Sequence, residues 1–202
     1  MFRKFIVFIV VISFASCYHA SYNTSLGSKG ALDFSQGRWV LNDATCENCD
    51  NDALEEALMG FLKDCAKDAI VDVHQERQKN LITSKIPFEP SEKELKLLHE
   101  GTDASYLITV EGKVIKSEFT GMGYENDNPL ADDDNIAEVS IAFYDLKTQT
   151  QIHYINTRGS VSISKDEDDD DPDFVFAPTS YKILTKSMKK NIKKLKKNCK
   201  CK

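Results

Sequence analysis

Long hydrophobic runs are scarce in this 202-residue chain; the one of any length is Phe5–Phe14, apolar but for Ser13. A helix that crosses a bilayer needs roughly 20 apolar residues, so this stretch is too short to span. Histidine is sparse as well, and His19, His74, His99 and His153 are too scattered to suggest a nucleophile–base pair. Tryptophan occurs once, at Trp39, and reads as core filling. Basic charge is not in excess: 26 Lys and Arg face 32 Asp and Glu, which argues against a general nucleic-acid binder. No internal repeat is evident.

What the chain does have begins at its start. Arg3 and Lys4 precede the apolar stretch, and the small residues Ala15 and Ser16 lead into Cys17. That order is the anatomy of an export signal. Cys17 in this setting resembles the acylated cysteine of the bacterial lipoprotein lipobox, with Phe14 and Ser16 where Leu and Gly or Ala are usual. The resemblance implies a leader over 1–16, lipidation at Cys17, and an outer-membrane lipoprotein facing the periplasm, since no Asp follows the cysteine. Two acyl chains would anchor the protein stably. The alternative is an ordinary signal cleaved near Ala20 and a secreted product. Without Arg3 and Lys4, the net charge of −6 becomes −8. Residues 18–37 are rich in Ser, Gly and Asn and read as a flexible tether. A single domain over 38–198 and a Cys/Lys tail over 199–202 complete the plan.

Within the domain, Arg38–Leu41 is a strand candidate, and Asp52–Ala69 carries Leu54, Leu58, Phe61, Leu62 and Cys65 at helical spacing. Asp50 or Asn51 can cap that helix. Ala69–Val73 is a second strand candidate. Ser91 with Glu94 forms a capping box for a helix over Glu92–Glu100. Residues 104–118, 136–146 and 151–164 alternate with period 2, as half-buried antiparallel strands do. A last helix from about Pro178 bears an apolar stripe of Tyr181, Leu184, Met188, Ile192 and Leu195. The pattern predicts an α+β, two-layer domain: an antiparallel meander sheet packed against helices.

The passages GTDASYLITVEGKVI and IAEVSIAFYDLKTQTQIHY, followed by a lysine-rich helix, resemble the TolB-N-terminal-like fold. Curli-secretion lipoproteins and lipoprotein activators of penicillin-binding proteins share that fold. The resemblance implies a domain that grips partner proteins or glycan-synthesis enzymes at the envelope, and it does not imply catalysis. It transfers no functional residue.

Four groups of residues carry chemistry. Acidic runs hold Asp132, Asp133, Asp134 and Asp168, Asp169, Asp170, Asp171. A meander would put both runs at one end of the sheet, where oxygen ligands could gather for calcium. Neither run has the ligand order of an EF-hand. Lys189, Lys190, Lys193, Lys194 and Lys197 lie on the last helix, as solvated cover or as contacts to anionic headgroups. Cys46 and Cys49 precede the first helix in a CxxC that invites a thiol–disulfide oxidoreductase reading. Asp43, Glu47 and Asp50 oppose it, because negative charge raises thiol pKa. With Cys199 and Cys201 the same pair makes a candidate zinc set or disulfides, provided the last helix ends near the start of the first. Cys65 falls on an apolar face and reads as core packing. These readings converge on a non-catalytic binding or assembly module with no resident cofactor.

Overall fold

A computed structural model describes residues 16–28, 31–47, 49–79, 85–118, 122–124, 133–163 and 174–201. Residues 1–15 of the leader expected over 1–16 lie outside them, as do Asp132, Asp168, Asp169, Asp170, Asp171 and the side chains of Cys17 and Asp133. The strands are β1 (Ser16–Cys17), β2 (Ser21–Ser28), β3 (Leu32–Asp33), β4 (Trp39–Leu41), β5 (Thr45–Glu47), β6 (Ile70–Asp72), β7 (Tyr106–Ser117), β8 (Met122–Tyr124), β9 (Asp133–Asp145), β10 (Thr150–Ile163), β11 (Phe174–Phe176) and β12 (Cys199–Lys200). The helices are α1 (Asn51–Ala66), α2 (Val73–Lys79), α3 (Glu92–Gly101) and α4 (Ser180–Asn198).

The period-2 segments form the predicted meander. β7, β9 and β10 pair antiparallel, with Ile108 opposite Phe143 and Ile141 opposite Ile155. They are the centre of a seven-stranded open sheet whose path runs β2-β10-β9-β7-β4-β6, with β5 paired to β7 farther along. β4 and β6 add in parallel, so the sheet is mixed. Alternation decides the faces. Ile108, Val110, Val139, Ile141, Phe143 and Ile155 pack with α1 and α4, while Leu107, Ala142 and Tyr144 face the other way toward Leu95 and Leu98 of α3. The expected α+β class stands, and α3 covers part of the second face.

The helices start where their caps say. The Asp50 side chain accepts from the Ala53 N–H at 3.2 Å, and Ser91 and Glu94 complete the capping box. Those two Ser91 donors also hold the Glu94 carboxyl below its ordinary range.

The tether expected over 18–37 is instead structured chain. β2 pairs with β10 along its whole length, Tyr22 opposite Gly159 and Thr24 opposite Thr157. Tyr22 and Thr24 turn partly inward while Ser21, Asn23 and Ser25 are exposed. Downstream, Leu32 and Phe34 are buried, and the Phe34 ring lies 4.7 Å from Trp39 and 6.3 Å from Phe61. Backbone hydrogen bonds supply what the small polar side chains of β2 cannot.

A buried polar relay fastens α4 to the sheet. Thr157 donates to Asn191 Oδ1 at 2.6 Å, and Asn191 Nδ2 donates to the Val139 carbonyl at 2.8 Å. Because the Thr157 proton is thus committed, Thr24 donates to Thr157 at 2.8 Å. Asn191→Ala strips the relay of its centre, and about 2–3 kcal/mol of unfolding free energy is expected to go with it. Urea denaturation measures this; a loss below about 0.5 kcal/mol, the scale of surface substitutions, contradicts the relay.

Candidate functional site

α4 is a 19-residue helix with no acidic residue in its first turn. Its buried stripe, Ile183, Leu184, Ser187, Met188, Asn191 and Leu195, fixes which side meets water. At 100° per residue, Lys189, Lys193 and Lys197 form one row and Lys190 and Lys194 the next. Four of the five are exposed and Lys190 is half-buried. Among the described residues none of the five ion-pairs with an acid. Lys186 and Lys190 instead sit 5.2 and 4.8 Å from the centre of the Tyr22 ring, a cation–π geometry. This is a coherent positive surface held rigid by the core beneath it.

Away from this surface, Ser117 pairs with Asn135 and Ile163 with Asp133, so these strand ends share one end of the sheet. Asp134 at that end is engaged: Ser162 donates to its Oδ1 at 2.6 Å and the Lys116 ammonium sits 3.0 Å from Oδ2. These donors hold the Asp134 carboxyl below its usual range, the Ser162 bond first. An ammonium thus already occupies one side of a candidate cation ligand. The same end holds β1. Cys17 lies opposite Phe176, and Tyr18 N–H donates to the Phe176 carbonyl at 3.0 Å. α4 starts there, capped by Thr179, and runs away for about 28 Å at 1.5 Å per residue.

Cys46 and Cys49 are joined to each other in a disulfide. They close over Gly112 of β7, where a Cβ would come within 2.7 Å of the Cys46 sulfur and 2.7 Å of Leu54. A cavity of about 560 Å³ beside them is lined by Asp43, Cys46, Glu47, Lys85, Glu111 and Lys113. The proposed four-cysteine zinc set does not assemble. α4 ends beside the last turn of α1, not its first, so Cys199 and Cys201 meet Cys65. Cys65 is bonded to Cys201 and is therefore more than core packing.

A second cluster was not legible in the sequence. The C-terminal ends of parallel β4 and β6 bring Asp43 beside Asp72 and His74. His74 Nε2 lies 3.0 Å from Asp43 Oδ1, and Arg77 donates to Asp43 Oδ2 at 2.7 Å. The alternation Asp72-x-His74 was the available signal, but only the parallel pairing supplies Asp43. Glu55 borders this group and accepts from the Ala44 N–H at 3.3 Å. Burial pushes its carboxyl up, and the neighbouring charges of Asp72 and Asp43 add to the rise.

The fold and its charged helix thus define an α+β domain with no catalytic constellation among the described residues. No protein-family model matches the chain, and no curated protein does. By structure it is similar to a PelC dodecamer from Paraburkholderia phytofirmans, at 12% identity and a TM-score of 0.46 over 90% of this chain and 99% of that one. A second PelC dodecamer of the same organism gives 10% and 0.42 over 87% and 94%. A neuraminyllactose-binding hemagglutinin homolog from Helicobacter pylori gives 14% and 0.37 over 84% and 86%. Likenesses this distant carry no argument about role.

Glu55 gives a pH test with a definite sign. Its folded pKa exceeds the unfolded one, so the native state binds the extra proton and stability falls as pH rises between the two values. Glu55→Gln is therefore expected to be more stable than wild type at pH 7, with the difference closing by about pH 4, near the ordinary glutamate value. Thermal melts across that range check it; a constant difference, or destabilisation at pH 7, refutes the assignment.

Proposed function

We propose that this chain is an exported lipoprotein, anchored through Cys17 at the bacterial outer membrane, that works as a non-catalytic docking or assembly module in the periplasm. Its partner is a protein presenting carboxylates to the lysine rows of α4. The observation that carries this reading is the positive face of α4 itself: Lys189, Lys190, Lys193, Lys194 and Lys197 on a rigid helix, unmatched by acids among the described residues. Such a surface accelerates association and selects partners by charge.

Position favours a protein over anionic headgroups. Only residues 18–20 separate Cys17 from β2, so the domain stands close on its anchor with no loose tether to let it lie down. The lysine rows occupy the half of α4 that points away from β1. Lysines near a headgroup layer contribute about 1 kcal/mol each, but only within a Debye length of it.

The alternative of a thiol–disulfide oxidoreductase would use Cys46 and Cys49. The acids Asp43, Glu47 and Asp50 around the pair work against it, because they disfavour the thiolate such chemistry needs. A cation-binding module on the two acidic segments is the other alternative; calorimetry with calcium tests it.

Two experiments test the main reading. Palmitate labelling is expected in wild type and lost in Cys17→Ala; equal labelling removes the anchor. Cross-linking from envelopes with native lipidation is expected to capture an acidic partner. Lys189→Glu combined with Lys193→Glu should abolish that capture, and Lys93→Glu with Lys96→Glu on α3 should not. Binding that survives the α4 reversal, or that follows vesicle charge in place of the partner, overturns the docking surface.

A further inference from the structure

The far end of α4 carries chemistry that docking does not use. Among Cys46, Cys49, Cys65, Cys199 and Cys201, four are bonded and Cys199 is the free thiol. Its sulfur lies 3.8 Å from that of Cys65 and 3.9 Å from that of Cys201, the two halves of one disulfide. Backbone pairing holds Cys199 there independently of any sulfur bond. β12 pairs with β3, Cys199 opposite Leu32, and the Lys200 carbonyl accepts from the Phe34 N–H at 2.9 Å. Cys201 lies beyond the last paired residue and is exposed. Cys65, by contrast, is fixed in the core on α1.

We infer that Cys65, Cys199 and Cys201 form a thiol–disulfide exchange centre in which Cys65 can be bonded to either tail cysteine. The step is an isomerisation and needs no outside oxidant or reductant. The Cys199 thiolate attacks the Cys65 sulfur, forming the Cys65–Cys199 bond. The Cys65–Cys201 bond breaks, and its electron pair leaves on Cys201, which takes up the proton that Cys199 gave to solvent. Cys199 is almost equidistant from the two bonded sulfurs, so in-line attack requires the tail cysteine side chains to turn, while the backbone pairing of β12 keeps Cys199 within reach of Cys65.

The two isomers differ in what they show to the outside. In the isomer described, burial pushes the Cys199 thiol up and keeps it protonated, so the centre rests at neutral pH. In the other isomer the free thiol is Cys201, exposed and flanked in sequence by Lys200 and Lys202, cations that favour the reactive thiolate. Exchange would thus bring a shielded thiol to the surface as a nucleophile for a disulfide on a second molecule.

The test uses the full chain with its native disulfides. Samples held at pH 7 and pH 9 are alkylated with iodoacetamide and mapped by mass spectrometry; cleavage after Lys200 separates the two tail cysteines. The expected result is a severalfold rise in alkylated Cys201 at pH 9, together with Cys65–Cys199 cross-linked peptides. Cys199→Ser should show neither. Cys201→Ser, exported through an oxidising compartment, should contain Cys65–Cys199 and melt close to wild type. Wild type labelled on Cys199 alone at both pH values overturns the inference, and so does Cys201→Ser with Cys65 and Cys199 both reduced.

Discussion

The seating of α4 across the meander is the contact on which the rest of this molecule depends. Ile183, Leu184, Met188 and Leu195 close the core over Val139, Ile141 and Ile155, all nearly or fully buried. Apolar burial alone would let the helix rotate or slide by a turn at small cost, since it is non-directional. The Thr24–Thr157–Asn191–Val139 relay removes that freedom, because a slipped helix would break both bonds of Asn191 and take the partner from the Val139 carbonyl. Register of α4 fixes which lysines face water and where Cys199 lands. The charged face and the sulfur cluster are both consequences of that one docking.

Charge is divided by the same geometry. The strand ends at Ser117, Asp133 and Ile163 lie near β1, with the engaged carboxylate of Asp134 among them, while the lysine-bearing half of α4 lies toward the opposite end. Ser162 and Lys116 both meet Asp134 there, which is the physical reason its carboxyl is held low. A chain of net acidic charge can therefore offer a strongly basic surface. Bulk charge set the expectation against nucleic acid, but it said nothing about which face would be positive.

Elements with their own side-chain signal were legible in the sequence. The meander has Ile, Val and Phe alternating over long strands, the capping box at Ser91 and Glu94 is a local motif, and the stripes of α1 and α4 have clear helical spacing. Elements whose signal lies in a partner were not legible. β2 is Ser-Tyr-Asn-Thr-Ser-Leu-Gly-Ser, and its alternation of half-buried Tyr22 and Thr24 exists only because β10 is beside it. β3 and β12 are two residues each and pair across almost the whole chain. The cysteine pattern suffered the same limit. Six cysteines leave five once Cys17 is set aside, but spacing could not say that Cys65 would meet Cys201 while the helix and sheet between them had yet to be placed.

The replacement of a tether by β2 bears most on how the protein would act. A flexible linker lets a domain sample every orientation above its anchor, and a basic face then finds headgroups at the effective concentration the linker sets. Here the chain passes from Cys17 to Ser21 in a few residues and is then bonded into the sheet through Ser28. Under the proposed anchoring at Cys17, that junction would set the orientation of the domain. The lysine rows lie on the half of α4 remote from β1, and Lys200 with the tail cysteines lies beyond them. A positive face so placed would meet what stands a helix length from the proposed anchor.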